Sequence, residues 1–295
     1  MRVDEALAWG AGRLRETVTP SPGFDDLDDE AAYLLAHCLG VRPTLRRTDL
    51  DGILPTSVET RFRDLIAARV TTRKPAAYLT GEAWLSGVRF HVNEQVIVPR
   101  SPLAELIGSG FAPWTTDEPT AILDLCTGSG CLAVLCALAF PDAAVDATDL
   151  SPEALAVARR NVADHGLSGR VRLFEGDLFD PLSRRRYDVI VANPPYVDPL
   201  DKSWLPQEYL NEPEMALFAP RSGIELAVRI VREAARYLTP GGSLFLEVGE
   251  NAPALERYFP ELAFTWLEFE RGGEGVTVVR REDLPDTGGA ASHPD

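Results

Sequence analysis

The feature that most constrains the fold is a regular alternation of strand-like and helix-like segments that begins near residue 120. Short apolar runs predict strands at 121–125, 144–150, 171–174, 187–192 and 243–248. Helical patterns lie at 131–140, 151–165 and 223–238, and the runs 263–269 and 276–280 flank Gly272-Gly273 as a closing hairpin. Strands that alternate with helices form parallel sheets with right-handed crossovers. The pattern therefore predicts an α/β fold with a doubly wound, Rossmann-like sheet that ends in antiparallel strands.

The rest of the chain divides into three parts. Residues 1–75 show helical spacing and predict a small helical domain, which could also dock a substrate. Residues 76–100 predict a β-hairpin linker, with strands at 88–92 and 95–98 on either side of Asn93-Glu94. The sheet domain would occupy 101–281, and the polar stretch 282–295 predicts a disordered tail.

Charge and composition exclude several classes of protein. The chain has 29 Lys and Arg against 45 Asp and Glu, a net charge of −16, which argues against tight nonspecific nucleic-acid binding and fits a basic partner. No apolar run reaches ~20 residues, so no membrane span is expected. The four cysteines form no C-x-x-C pair and the N-terminus lacks a secretory pattern, so we expect free thiols and a cytoplasmic location.

A glycine-rich loop lies where the first strand meets its helix, at 124–130 (Asp-Leu-Cys-Thr-Gly-Ser-Gly). Glycines let the backbone turn sharply and approach a ligand closely. With Ala133 the loop also satisfies the G-x-G-x-x-A pattern of dinucleotide sites. It predicts a nucleotide-like cofactor, although a tight strand-to-helix turn alone would have the same pattern.

Acidic residues follow three successive strands. Asp149 lies 21 positions after Gly128, where an acid that binds ribose hydroxyls is expected. Asp177 follows the third strand and could accept the exocyclic amine of adenine, and Asp124 could carry part of the charge of an amino-acid moiety. Three acids suit a cationic cofactor, so S-adenosylmethionine fits better than NAD. Each acid could instead be a helix cap or an ion-pair partner.

The most informative tetrapeptide is Asn193-Pro194-Pro195-Tyr196, directly after the fourth predicted strand. Neither proline can donate to a sheet, so the strand ends there and presents acceptors. These acceptors are the side-chain carbonyl of Asn193 and the backbone carbonyl of Pro194, with the ring of Tyr196 beside them.

This arrangement suits methyl transfer to a planar nitrogen. The lone pair of an amide or aryl amine is delocalised, and methylation moves positive charge onto the nitrogen. Two fixed acceptors on its N–H bonds orient the lone pair and stabilise that charge. A strong general base is not required, and the sequence contains no Ser/His/Asp set, no Cys/His set and no metal-ligand cluster.

The combination of the glycine loop with this tetrapeptide resembles the class I S-adenosylmethionine-dependent methyltransferases that act on planar nitrogen. Within them, the sequence is similar to the protein-glutamine N5-methyltransferases of the HemK/PrmB group, and to the PrmB branch in particular. The resemblance extends over residues 70–280, and the first seventy residues agree in helical character only. The segments that carry it are 73–81 (Arg-Lys-Pro-Ala-Ala-Tyr-Leu-Thr-Gly), 98–106 (Val-Pro-Arg-Ser-Pro-Leu-Ala-Glu-Leu), 124–131, 193–198 and 264–269 (Phe-Thr-Trp-Leu-Glu-Phe).

The resemblance implies a seven-stranded Rossmann-like domain and methylation of a glutamine in the third large-subunit ribosomal protein, a basic substrate. It implies S-adenosylmethionine as cofactor and S-adenosylhomocysteine as product. Asn193, Pro194 and Tyr196 would be catalytic, and together with Pro195 they would bind the glutamine. The chain departs from the family at Pro220-Arg221-Ser222-Gly223, where Gly-x-Asp-Gly is common. The implied cofactor-binding residues are Asp124, Cys126, Thr127, Gly128, Ser129, Gly130, Asp149, Leu150, Asp177, Leu178 and Asn193.

Four alternatives remain open. A release factor could be the substrate instead of the ribosomal protein. A nucleic-acid methyltransferase acting on adenine N6 or guanine N2 would use the same tetrapeptide, but the acidic balance and the lack of a target-recognition domain oppose it. An NAD-dependent dehydrogenase would leave residues 193–196 unexplained. A non-enzymatic assembly factor could retain a cofactor pocket.

Overall fold

The computed structural model describes residues 1–44, 51–115, 117–183, 185–219, 223–270 and 272–285. Its N-terminal part is helical, with α1 (Val3–Arg15), α2 (Leu27–Leu39), α3 (Thr56–Thr72) and the short α4 (Ala76–Thr80). The Asp26 side chain caps α2 by accepting from the backbone N–H groups of its first turn, at 2.8 Å each, and Gly40 ends it in the left-handed region. Leu14, Leu34 and Phe62 form part of a core that these helices share.

The linker contains a β-hairpin, but its strands differ from the predicted ones. β1 (Glu82–Leu85) pairs with β2 (Val88–His91). Ser86 and Gly87 form the turn with φ values of 50° and 75°, as a two-residue hairpin with the right-handed twist requires. The predicted strand at 95–98 is wrong, because Val96 and Val98 are buried without a strand partner and the Val98 N–H donates to Glu212 at 2.8 Å.

A seven-stranded sheet forms the second part of the molecule. From one edge to the other the strand order is β5-β4-β3-β6-β7-β9-β8. The five strands from β5 to β7 are parallel, and β9 pairs antiparallel with both β7 and β8. The strands are β3 (Ala121–Leu125), β4 (Ala144–Asp149), β5 (Val171–Glu175), β6 (Tyr187–Ala192), β7 (Leu238–Glu247), β8 (Thr265–Trp266) and β9 (Val276–Arg280).

Helices cover both faces of this sheet, as a doubly wound fold requires. Alternate residues of the central strands enter two separate cores: Ile122 and Val189 belong to one, Leu123 and Ile190 to the other. The helices are α5 (Leu103–Gly108), α6 (Cys131–Ala139), α7 (Pro152–Asp164), α8 (Glu214–Leu217), α9 (Glu225–Ala234) and α10 (Ala252–Tyr258). The strand order reverses between β3 and β6, so a crevice forms at their carboxyl ends.

Two predicted boundaries are corrected. β7 begins five residues earlier than the predicted strand 243–248, because Leu238 already pairs with Tyr187 across a register shift. The predicted tail begins too early: Glu282 accepts the Gly241 N–H at 2.7 Å, and Leu284 is 6% exposed within the sheet core. An apolar side chain that reaches the core orders this stretch, and the remainder of the predicted tail, 286–295, lies outside the described residues.

None of the helices in the described part of the chain has both the length and the apolar composition needed to cross a bilayer.

Candidate active site

The glycine loop leaves β3 through an unusual backbone path. Cys126, Gly128 and Gly130 all have positive φ, at 58°, 54° and 78°. A Cβ on Gly130 would lie 3.0 Å from the Cβ of Ala158 in α7, so the loop packs closely on that helix. Only glycine adopts such angles at little cost, and Cys126 therefore carries backbone strain at the carboxyl edge of the sheet.

Asp149 holds this loop in place. One carboxylate oxygen accepts the Gly128 N–H at 2.8 Å and the other accepts the Ser151 N–H at 2.9 Å. Burial raises the pKa of Asp149 despite these hydrogen bonds. Each oxygen keeps a further lone pair, so the carboxylate can also accept hydrogen bonds from ribose hydroxyls.

Asp124 differs from its predicted place in the cofactor cavity. It is fully buried behind the loop, where one oxygen accepts from the Thr127 hydroxyl at 2.5 Å and from the Ala133 N–H at 3.0 Å. Its other oxygen, Oδ1, has no partner, and burial raises its pKa to about 7. A buried acid with an unused acceptor is the electrostatic complement of a cationic group nearby.

Asp177 lies at the cavity as predicted, but it is an ion-pair partner. Both of its oxygens accept from Nη1 of Arg229, at 2.9 and 3.1 Å. Leu178, the next residue, has a φ of 49° and is buried. Arg229 of α9 therefore holds the loop after β5 through this ion pair, in addition to the strand that the loop leaves.

A cavity of about 770 Å³, partly open to solvent, lies over these three strand ends. Two further segments close it, 95–97 from the linker and 213–216 after β6. The predicted residues that line it are Cys126, Gly128, Asp149, Leu150, Asp177, Leu178, Asn193 and Pro195, whereas Asp124, Thr127, Ser129, Gly130, Pro194 and Tyr196 do not.

The Asn-Pro-Pro-Tyr segment separates this cavity from a second one. Asn193 and Pro195 face the first cavity, whereas Tyr196 lines a neighbouring groove of about 1450 Å³. We call this second cavity the acceptor groove. Its walls are formed by Arg100, Pro102, Tyr196–Asp198, Asp201, Trp204, Leu205, Glu247, Gly249–Asn251, Gly273 and Glu274.

Glu247, at the end of β7, organises the segment from behind. Its two oxygens accept from the hydroxyl of Tyr196 at 3.1 Å and from that of Ser101 at 2.5 Å. Hydrogen bonds from the Ser101, Tyr196 and Asn193 side chains favour the ionised form of Glu247 and so lower its pKa. Burial nevertheless raises the pKa of Glu247.

Two glycines are required beside Tyr196. A Cβ on Gly223 would lie 2.5 Å from the Tyr196 carbonyl oxygen, and one on Gly249 would lie 2.7 Å from its ring. The Asn251 side chain donates to the same carbonyl at 2.5 Å. Gly223 is therefore required at the turn where the sequence departs from the family pattern. Residues 220–222 of that stretch lie outside the described part of the chain.

The bridging segment, residues 198–212, connects the active site to the rest of the molecule. Glu212 accepts from both terminal nitrogens of Arg100, at 2.6 and 2.8 Å. Glu208 accepts from Arg69 at 3.1 Å and from Arg73 at 2.6 and 2.9 Å. Both carboxylates are almost fully buried, so the segment is fixed to the linker and to the helical domain.

The site has no reactive thiol or metal cluster in the described residues. Burial raises the pKa of Cys126 and Cys131, so both thiols are protonated at neutral pH. Within these ranges, no group of three or more His, Cys, Asp or Glu side chains is arranged to hold a metal ion.

Glu247, Ser101 and the two carboxylates of the bridging segment were not predicted as site residues from the sequence. One signal was available: Glu247 is a charged residue that ends an otherwise apolar strand, directly before Val248-Gly249. Ser101 lies 146 positions away from its partner, and no local pattern links the two.

Comparisons with known proteins agree with this architecture. The chain matches the family model of the methyltransferase small domain at residues 114–219 and that of the PrmC N-terminal domain at residues 5–81. The first seventy residues therefore share more with the family than helical character. Among solved structures, the hMettl16 catalytic domain in complex with MAT2A 3'UTR hairpin 6 has a TM-score of 0.50, at 14% identity over 80% of this chain and 85% of that one. At that identity the likeness shows the fold alone.

Curated relatives are much closer in sequence. The ribosomal protein uL3 glutamine methyltransferase of Bordetella pertussis is 49% identical over 95% of this chain and 95% of its own length. The protein of the same name from Neisseria meningitidis is 45% identical over 96% of this chain and 94% of its own length. The methyltransferase fold, the arrangement around Asn193 and this identity over nearly the whole chain agree with one another. The chain belongs to the ribosomal protein uL3 glutamine methyltransferase family.

Proposed function

We propose that the protein transfers a methyl group from S-adenosylmethionine to the side-chain amide nitrogen of a glutamine in ribosomal protein uL3. One observation carries the proposal: Asn193 lines the first cavity, whereas Tyr196 of the same motif lines the acceptor groove, where its hydroxyl donates to Glu247 at 3.1 Å. A residue in that position can hold an acceptor nitrogen against a cofactor. The names of the relatives support glutamine as the acceptor and uL3 as the protein that carries it.

The first cavity fits S-adenosylmethionine on its own residues. Asp149 keeps lone pairs for the ribose hydroxyls, and the unpartnered Oδ1 of Asp124 suits the positive charge of the cofactor. Leu150 and Leu178 line the cavity and offer apolar surface to the adenine. Bound S-adenosylmethionine would supply an electrophilic methyl group on a sulfonium.

The remaining chemistry belongs to the chain. The Asn193 side-chain oxygen and the Pro194 backbone oxygen would accept the two N–H bonds of the glutamine amide. That geometry turns the nitrogen lone pair toward the first cavity and stabilises the positive charge that nitrogen gains. The nitrogen then loses a proton, which is acidic once the nitrogen is alkylated. Tyr196 would pack against the glutamine side chain, held in place by Glu247.

The decisive experiment supplies purified protein and labelled S-adenosylmethionine with unmethylated uL3, with an unmethylated release factor and with ribosomal RNA in separate reactions. We expect label on uL3 only, at one glutamine side chain when the product is mapped by mass spectrometry. Label on the release factor alone would mean that the release factor, and not uL3, is the substrate. Label on RNA would replace it with the nucleic-acid alternative.

A further inference from the structure

We propose that the acceptor groove binds the polypeptide on either side of the methylated glutamine, and that this polypeptide carries Lys and Arg side chains. The inference rests on the proposed function and adds the location and chemistry of substrate recognition. Four independent observations support it.

The first observation is continuity with the active site. The floor of the groove contains Tyr196 and Glu247, the same side chains that fix the acceptor motif. A glutamine whose amide reaches Asn193 has its own backbone outside the cofactor cavity. The groove is the cavity that adjoins the motif on that side, so the substrate backbone would run along it.

The second observation is exposed apolar surface at the rim. Trp204 is 83% exposed and lines the groove at the end of the 3₁₀ turn Pro199–Trp204, whereas Leu200 of the same turn, which is 82% exposed, does not line it. An exposed tryptophan on a groove is a candidate contact for a partner, because tryptophan is enriched at the centres of binding surfaces. The turn begins three residues after Tyr196, and Trp204 lies on the groove wall within reach of a bound peptide.

The third observation is the charge of the groove. Asp198, Asp201, Glu250 and Glu274 line it, and in the described residues none of the four forms an ion pair. The groove's cation, Arg100, is already held by both oxygens of Glu212. The groove therefore presents uncompensated negative charge, which favours basic side chains and repels a phosphate backbone.

The fourth observation is that the wall is preformed. Glu208 and Glu212 fix the bridging segment through buried ion pairs with Arg69, Arg73 and Arg100. A rigid wall lowers the ordering cost of binding. The occupant follows from complementarity: a protein that binds ribosomal RNA must carry cations to neutralise phosphates, so its exposed segments match this groove.

The test measures binding by fluorescence anisotropy, independently of methylation. The probe is a fluorescein-labelled 15-residue peptide with a central glutamine, two lysines and two arginines. A second peptide has serine at the four basic positions. The groove variant is Asp201→Lys with Glu250→Lys. The matched control, Asp142→Lys with Glu261→Lys, changes the net charge equally at exposed positions outside the groove.

We expect the groove variant to weaken binding of the basic peptide about tenfold or more, since two attractions become repulsions, and the control about twofold at most. Binding of the serine peptide should respond to neither pair. Trp204→Ala should weaken binding of both peptides about tenfold, because it removes apolar contact. Unfolding midpoints, measured in parallel, should be unchanged for these surface substitutions.

Equal losses in the groove and control variants would overturn the proposal, because they would indicate whole-protein steering. Equal wild-type affinity for the two peptides would overturn it as well. If a 15-nucleotide RNA binds the wild type and this binding is lost in Trp204→Ala, the groove is a nucleic-acid site. If uL3 is methylated while the groove variant binds and reacts normally, this inference alone fails. If the peptides bind as expected but uL3 is not methylated, the proposed function alone fails.

Discussion

The two cavities that meet at Asn193 are built in different ways. The cofactor cavity is formed mainly by the loops after β3, β4 and β5, three consecutive strands of one sheet. Some of its hydrogen bonds join residues close in sequence, such as Gly128 and Asp149, 21 positions apart, although Asp177 and Arg229 are 52 positions apart. The acceptor groove is assembled from distant segments, and the bond between Ser101 and Glu247 joins residues 146 positions apart.

This difference shows which parts of the sequence determine the cofactor cavity and which determine the acceptor groove. The part of the cofactor cavity that is built from adjacent strand-to-helix turns follows from the fold, whereas residues 95–97 and 213–216 close it from outside those turns. A groove built from long-range contacts depends on the whole tertiary structure. We therefore expect recognition of the acceptor to depend on residues such as Glu247 and Glu212, which have no role in the glycine loop.

Asn193→Ala should have the largest effect, because it removes one of the two acceptors proposed for the glutamine amide. We expect kcat to fall about 10²- to 10³-fold, as for the loss of one fixed polar group aimed at a developing charge. Affinity for S-adenosylmethionine should change only a few-fold. Single-turnover rates and calorimetric binding would separate the two. A large loss of cofactor affinity with normal kcat would show that Asn193 belongs to the cofactor side.

Glu208→Gln should have the next largest effect, on stability. Burial alone would raise the pKa of Glu208, but hydrogen bonds from Arg73, Thr19 and Arg69 outweigh it and lower the pKa to about 2. We expect the free energy of unfolding at pH 7 to fall by about 2–4 kcal/mol, because the arginines lose a buried partner.

The sign of its pH dependence follows from the lowered pKa. The stabilisation is fully present above the ordinary glutamate value and is lost as pH falls from about 4.5 toward about 2. Urea unfolding at pH 7 and pH 3.5 should therefore show a smaller difference between wild type and variant at the lower pH. Glu261→Gln, at an exposed position, is the control. A difference that is constant with pH would argue against the ion pairs as its source.

Glu247→Gln tests the acceptor side without a change in shape. A glutamine offers only one acceptor oxygen, whereas Tyr196 and Ser101 each need one. We expect kcat to fall about 10- to 100-fold. In the wild type, burial raises the pKa of Glu247, so kcat should decline as pH falls through that value. The variant should lack this acid limb, and an unchanged pH profile would contradict the assigned role.

Asp149→Asn should have the smallest effect and act on the cofactor side only. The amide keeps one acceptor for the Gly128 or Ser151 N–H group but loses charge-assisted bonding. We expect about tenfold weaker binding of S-adenosylmethionine, with kcat at saturating cofactor nearly unchanged. Equilibrium binding and initial rates measure the two. If kcat falls instead, the two cavities are not separable in the way proposed here.

The same contrast explains which features could be predicted from the sequence. Apolar periodicity predicts the parallel strands, and the interval of 21 residues after Gly128 predicts that Asp149 binds ribose hydroxyls, whereas the hydrogen bond that Asp149 accepts from Gly128 was not predicted. Asp124 was expected in the cavity, but strand alternation puts it on the same face as Ile122, beneath the loop and against α6. Asp177 was identified by position only, since its partner Arg229 lies 52 residues away and follows no local rule.

The linker, residues 76–100, shows most clearly what the sequence pattern could not predict. Residues 95–98 alternate like a strand, yet the actual hairpin uses the Ser86-Gly87 turn, whose positive φ values suit two-residue connections. Residues 95–98 instead pack near Glu212, whose carboxylate accepts the Val98 N–H. These two residues are 114 positions apart. Periodicity reports which side chains are buried, but it does not identify what buries them.

The buried carboxylates of the bridging segment have a consequence for how this enzyme can be divided. A fragment that began at residue 101 would retain every strand of the sheet, yet it would lack Arg69, Arg73 and Arg100. Glu208 and Glu212 would then have no cationic partners, and the wall beside Trp204 would lose its anchors. The helical half and the linker are thus structural components of the catalytic half, because an excised methyltransferase module would lose the anchors of its acceptor side and also residues 95–97, which close the cofactor cavity.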